Sequence, residues 1–307
     1  MAERRAEIGW IERLIALRSF PGWADLPASE LAAISAAARP RLCAAGERLV
    51  DARSVVSSVL LVVDGELVVT REGRALGRIG PRDWLGAVLA FAPDALGIEC
   101  DAAVASLVLE LDVDDLEDIF EDRVGVLARA VAVLSREAIA LRRAFPEDGG
   151  FVETDPSRED VPARPLDVVE RVFYLRQSRA LPRARIDATT ALAEAARELR
   201  VEAGEPLFRI GDPSGAMIAV IGGRVDARSA DGQRFTFGAG DMIGGLDTFA
   251  GVPRWYEAEA ATALTALVLD RDEILDVWED HPDLGIAMLR AVSTSLLDLL
   301  GRRPRTA

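Results

Sequence analysis

The stretch Asp241–Ala260, DMIGGLDTFAGVPRWYEAEA, decides the fold. Two glycines precede a short apolar turn, Pro253-Arg254 follows, and a strand-like run closes the stretch. A glycine-bounded helix start aims free backbone N–H groups at one point. An arginine some ten residues on closes over the same point. Together these hold one phosphate. The same residues also suit a plain loop with a surface arginine, so the rest of the chain has to arbitrate.

Working outward, a shift of 158 residues matches the chain to itself without gaps. Ala45-Gly46-Glu47-x-Leu49 returns as Ala203-Gly204-Glu205-x-Leu207, and Gly65 as Gly223. Asp83-x-x-Gly86 returns as Asp241-x-x-Gly244, and Leu111-Asp112-x-Asp114 as Leu269-Asp270-x-Asp272. Glycines and turn acids match better than surface residues, because special backbone positions tolerate fewer residue types. The period is too long for a solenoid repeat. One fold is therefore expected twice, in domains 1–144 and 166–307.

Residues from about 3 to 19 read as an amphipathic helix, with Ile8, Ile11, Leu14 and Ile15 on one side. A second helix is expected over Leu26 to Ala38, bounded by Pro27 and Pro40. Short runs such as SVLLVV, ELVVT and RALGRI follow, punctuated by Gly, Asp and Pro as in an antiparallel jelly roll. Beyond Asp112 the apolar period changes to that of helices, over Asp114 to Glu121 and Val124 to Ala144. In the second of these, Leu127, Val131, Leu134, Ala138 and Leu141 draw one apolar seam. It suits packing on its own barrel or a dimer seam. Residues 145–165 are rich in Pro, Gly and acids and read as a linker. Helices over Leu166 to Leu181 and Asp187 to Ala196, strands from Leu199 to Asp270, and helices over Asp272 to Asp280 and Pro282 to Gly301 repeat the pattern. RRPRTA ends the chain as a short tail.

Composition narrows the function classes. A net charge of −15 repels nucleic acid, where affinity rests on phosphate neutralisation, and all 36 basic residues are arginine. No run of about 18 apolar residues marks a membrane span, and the N-terminus carries no signal-peptide pattern, so a cytoplasmic location is expected. Cys43 and Cys100 read as buried free thiols. With those two scattered cysteines and His281 the single histidine, no metal site, cofactor or catalytic residue is expected.

The order of helices, about eight short strands with a small helical turn, then a short and a long helix, resembles the cyclic-nucleotide-binding domain superfamily. The resemblance covers about 20–144 and about 166–302. It is carried by AGEPLFRIGDPSGAMIAVIGGRV (Ala203–Val225), GDMIGG with VPRW, and LDRDEILDVWEDHPDLGIAMLRAVS (Leu269–Ser293). The implied fold is mixed α+β, two jelly-roll domains each flanked by N-terminal helices and a long C-terminal helix. The resemblance puts Arg254 on the phosphate-binding arginine and Gly244, Gly245 and Leu246 on the cassette backbone, with Trp255 and Tyr256 placed to stack on a base. The pattern also departs from the family. Gly245 stands where a glutamate meets the ribose, Asp247 sits at the helix start, and Glu257 and Trp255 replace small residues. Arg254 is therefore expected either to meet a ligand or to pair internally with Asp247 or Glu257. In the first repeat Leu96 stands opposite Arg254 and Ala87 opposite Gly245, with no basic residue between Trp84 and Glu121, so no phosphate ligand is expected there. Regulators of this superfamily carry a DNA-binding domain after the long helix; here six residues follow Gly301, and no DNA partner is expected.

A non-enzymatic regulatory or scaffold protein is the first expectation, with an unidentified protein partner and a homodimer through the long helices. The alternative is a sensor that binds a cyclic nucleotide or small anion in the second domain through Arg254.

Overall fold

In the computed structural model the chain divides into two units, Met1–Arg129 and Ala130–Ala307. Residues 8–71, 73–92, 97–145, 161–178, 181 and 184–302 are described. Most of the expected linker, Leu96, the first residues of the N-terminal helix, Leu181's neighbours and the tail after Arg302 lie outside the described residues.

Unit 1 opens with α1 (Trp10–Arg18) and α2 (Ala28–Ala37). The strands β1 (Arg39–Cys43), β2 (Arg48–Val50), β3 (Ser58–Asp64), β4 (Leu67–Arg71), β5 (Arg74–Ile79) and β6 (Trp84–Leu85) follow. Then come α3 (Ala87–Ala90), β7 (Ile98–Ala102), β8 (Ser106–Asp112), α4 (Val113–Asp122) and α5 (Val124–Arg143). In unit 2, α6 (Val168–Gln177) and α7 (Ile186–Ala195) lead into β9 (Arg197–Val201), β10 (Pro206–Phe208), β11 (Ala216–Gly222), β12 (Val225–Ser229), β13 (Arg234–Phe237) and β14 (Met242–Ile243). The unit continues through α8 (Gly245–Ala250), β15 (Tyr256–Ala260), β16 (Leu264–Asp270), α9 (Arg271–Asp280) and α10 (Pro282–Arg302).

Each unit holds two four-stranded antiparallel sheets. Unit 1 has the orders β1-β8-β3-β6 and β2-β7-β4-β5; unit 2 has β9-β16-β11-β14 and β10-β15-β12-β13. Strand for strand these are the same jelly-roll topology. The register is also the same: Ser58 faces Asp112 as Ala216 faces Asp270, and Leu60 faces Leu85 as Ile218 faces Ile243. Both central strands carry a bulge at the same place, between Val62 and Asp64 and between Val220 and Gly222.

Local chemistry sets these elements. In β12 and β15 buried and more exposed residues alternate, so one face lines the barrel. Leu116 and Phe120 on α4, and Ile274 and Trp278 on α9, are buried one turn apart and anchor the short helices. The Asp112 carboxylate accepts from the Asp114 N–H at 3.0 Å and caps α4. Asp167 and Glu170 form a reciprocal capping box at the start of α6.

The sequence reading ends the first domain at 144; the division into two compact units falls inside α5, between Arg129 and Ala130. The side of α1 read as apolar faces solvent at Ile11 and Ile15; Leu17 is the residue that is fully buried. The long-helix seams are spent inside the chain, since Leu127, Val131, Leu134 and Ala138 on α5, and Leu289, Leu296 and Leu299 on α10, are buried. Against the expectation of no apolar run long enough to cross a membrane, the window Pro282–Gly301 is long and apolar enough by length and composition, and 44 % of it is buried. Cys43 and Cys100 are buried free thiols, and burial pushes the Cys100 thiol up to about 12.

Candidate functional site

The cassette hangs between β14 and β15. Gly244 caps α8 at φ +68, and Gly251 ends it at φ 64, two left-handed turns that fold the segment back on itself. A Cβ on Gly244 would lie 2.0 Å from Arg254 Nη1, so the guanidinium occupies the space a side chain would need. The Ser214 hydroxyl, from the turn before β11, lies 3.1 Å from the Asp247 carbonyl and also reaches the Val252 carbonyl, pinning both ends of the loop. The backbone of Arg254 is fixed by two bonds. Its N–H donates to the Asp212 carbonyl at 3.0 Å, and its carbonyl accepts from the Gly211 N–H at 2.9 Å.

The Arg254 side chain is buried and turned inward. Nη1 donates to the Gly244 carbonyl at 2.8 Å and lies 3.4 Å from Thr248 Oγ1, while Nη2 donates to the Ala216 carbonyl. The guanidinium carbon sits 4.5 Å from the centre of the Phe208 ring. Asp247 is fully buried beside it, with Oδ2 3.6 Å from Nη1, an ion pair too long for a hydrogen bond. Neither Asp247 carboxylate oxygen accepts a hydrogen bond among the described residues. Glu257, the other expected partner, instead meets Arg228 across the sheet at 2.7 Å.

The remaining expected residues are placed as follows. The Gly244 N–H donates to the Tyr256 hydroxyl at 2.8 Å, so it is not presented to an anion. Tyr256 and Trp255 are buried in an aromatic cluster with Phe235 and face the barrel, and burial pushes the Tyr256 phenol up. Gly245 has Met217 Sδ 3.6 Å from where a Cβ would be, and Leu246 is half-buried against the core. The structure thus brings Gly244, Arg254 and Tyr256 into one bonded group, with Gly245 and Leu246 on its helix and Trp255 behind it.

Several contributors have no signature in the sequence of the cassette. Phe208 on β10, Ser214 in the turn before β11 and Ala216 on β11 come from outside the cassette. Ile139, on the part of α5 that belongs to unit 2, joins the buried cluster that contains Phe208, Phe235, Trp255 and Tyr256. Arg136 on the same helix donates through Nε to the carbonyl of Ala250, the last residue of α8, at 3.0 Å. The Gln233 side chain donates to the Arg142 and Arg143 carbonyls at 3.2 and 3.4 Å and holds the end of that helix. Only the apolar spacing of α5 hinted that this helix would pack on a barrel.

Electrostatics decides what the site can do. Burial pushes the Asp247 carboxyl up to about 7, although the Arg254 guanidinium pulls the other way. Its ordinary value is 3.8, so between about pH 4 and 7 the folded chain keeps a proton that the unfolded chain has lost. The contribution of this group to stability is therefore full below that window and falls as pH rises through it, by at most about 1.4 kcal/mol per pH unit. Asp247→Asn is expected to flatten that slope, read as urea midpoints at pH 5 and pH 8. Nη1 and Nη2 are engaged by two carbonyls, a hydroxyl and the Asp247 carboxylate, while Arg254 Nε has no hydrogen-bond partner among the described residues.

The cyclic nucleotide-binding domain family matches residues 198–281. A CRP-like cAMP-activated global transcriptional regulator of Mycobacterium tuberculosis is 28 % identical over 114 residues, 36 % of this chain and 51 % of that protein. The chain thus spans about half the length of the curated relative it matches. Among solved structures, the regulatory domain of Toxoplasma gondii PKA with cAMP is 18 % identical, with TM-score 0.34, over 90 % of this chain and 94 % of that one. The N-terminal domain of a Streptomyces coelicolor transcriptional regulator is 27 % identical, with TM-score 0.36, over 39 % of this chain and 89 % of that one. The family match covers residues 198–281 of unit 2, and unit 1 repeats the strand order and register of that region.

Proposed function

We propose that this chain is a non-enzymatic, cytoplasmic regulatory or scaffold protein whose second cassette is filled by its own residues. The observation that carries this reading is the buried Arg254, bonded to Gly244, Ala216 and Thr248 and paired with Asp247. Above about pH 7 Asp247 would bring a negative charge to the seat where a ligand phosphate would bring one. The site would then keep its liganded shape with nothing bound, and the barrels would serve as surfaces for a protein partner. The first domain, with Leu96 in the arginine register, would bind no phosphate. A net charge of −15 supports the absence of nucleic acid as a partner.

A second reading is supported by the family match over 198–281 and by the retained Pro253-Arg254. In it the second domain senses a cyclic nucleotide or small anion, with Arg254 released from Asp247 and the backbone at Gly244, Gly245 and Leu246 receiving the phosphate. Trp255 and Tyr256 would have to turn toward the base. Thermal unfolding with cAMP, cGMP and cyclic dinucleotides separates the two. A ligand present at 100 times its dissociation constant stabilises by roughly 2.7 kcal/mol, a shift of roughly 5–10 °C. No shift is expected for the wild-type chain. A shift that disappears in Arg254→Ala would replace the first reading with the second.

A further inference from the structure

Residues 136–145, the end of α5 and the turn after it, lie within unit 2 and are clasped from three sides. Arg136 Nε donates to the Ala250 carbonyl at 3.0 Å, where α8 ends. Gln233, in the turn between β12 and β13, donates from its amide to the carbonyls of Arg142, Arg143 and Phe145. Arg142 Nη2 donates to Ser295 Oγ on α10 at 2.8 Å. Between these bonds Ile139 joins the buried cluster of Phe208, Phe235, Phe237, Trp255 and Tyr256.

The repeat marks this segment as an addition to the barrel. Leu67 faces Ile79 as Val225 faces Phe237, and Val69 faces Gly77 as Ala227 faces Phe235, so the edge strands β5 and β13 correspond. Ala75 stands where Gln233 does. β5 is exposed from Arg74 to Arg78, whereas Phe235 and Phe237 are buried. The same barrel thus forms with its edge strand open, and only unit 2 has both the rings to be covered and the amide that clasps. The clasp is polar and carries a cost, because Gln233 Oε1 is buried with no hydrogen bond among the described residues. The carbonyls it holds belong to a helix end, which water serves once they are exposed. Polar fastening over an apolar surface suits a segment that opens as a unit.

We propose that residues 136–145 are a strap that keeps the second barrel closed: in place it covers the aromatic rings and holds α8, and lifted it exposes the rings and frees α8. This rests on the reading that the chain fills its own second cassette, and names the outer segment that keeps it filled. Arg136 bears on the last residue of α8, and the first turn of that six-residue helix carries the Asp247 that pairs with Arg254.

Hydrogen exchange of the full-length chain without nucleotide, read by mass spectrometry, tests this on Gln233→Leu and Arg136→Met, two variants that keep side-chain bulk. In both, the amides of 139–145 and of α8 are expected to exchange about tenfold or more faster, while β11 and β16 keep their wild-type rates. Fluorescence of anilinonaphthalene sulfonate, a probe of exposed apolar surface, is expected to rise with them. Unchanged rates at 139–145 in both variants, acceleration throughout unit 2, a loosened strap over an unaffected α8, or an unchanged probe signal would each overturn the proposal. Such a failure leaves the self-filled cassette standing, whereas stabilisation of the wild type by cAMP would remove that reading without altering these rates.

Discussion

Arg254→Ala is expected to destabilise the ligand-free protein by about 3–5 kcal/mol, a loss typical of removing one partner from a buried ion pair. The truncation strands a fully buried Asp247 whose two oxygens accept no other hydrogen bond among the described residues. It also strips one donor from the carbonyls of Gly244 and Ala216, leaving them the donors from Thr248. For a unit of this size the calorimetric transition should fall by roughly 6–20 °C. The loss should grow with pH. Arg254 pulls the Asp247 carboxyl down, so without it Asp247 keeps its proton to higher pH than in the wild type, and the loss grows above about pH 7, where the wild type alone holds the charged pair. An arginine merely awaiting a ligand would be removed at little cost to the empty protein.

Gly223→Ala is expected to cost at least about 3 kcal/mol, as backbone strain and a clash with main-chain atoms add. Gly223 sits at φ +94, and a Cβ there would stand 2.2 Å from the Ala263 carbonyl oxygen and 3.1 Å from Leu264 Cα. Those are main-chain atoms at the start of β16 (Leu264–Asp270) and of the residue just before it. Gly65→Ala should behave alike in unit 1, where φ is +98 and the Cβ would stand 2.6 Å from Ser106 Cα. Gly204→Ala is the control: φ is +87 but nothing lies within 4 Å, so only the left-handed strain remains, about 1–2 kcal/mol. Urea midpoints of the three variants check the order.

The glycines also show why so much of the fold was legible. A residue forced into positive φ, or pressed against backbone, survives in both repeats, so Gly65 and Gly223 mark one corner twice. Strand lengths and helix order followed from periodicity. Packing partners did not, because a period says which side of a helix is apolar and not what covers it. Hence the α5 seam was legible as a seam, while its burial, and the solvent-facing side of Ile11 and Ile15, were not. At the site, the odd carboxylate at Asp247 was visible in the sequence. Its pairing with Arg254 rather than with water depends on Thr248 and on the Gly244 and Ala216 carbonyls around it, whose directions only the folded strands set. The bond from Gly244 to the Tyr256 hydroxyl joins residues twelve apart and left no pattern to find.

The central claim is that Asp247 and Arg254 hold each other in the empty protein. A double-mutant cycle of Asp247→Ala and Arg254→Ala, read by urea unfolding at pH 8 without ligand, tests it most directly. The account predicts a favourable coupling of about 1–3 kcal/mol, with the double variant more stable than Arg254→Ala alone. Additive losses, together with a cAMP-induced stabilisation of the wild type that Arg254→Ala removes, would contradict it.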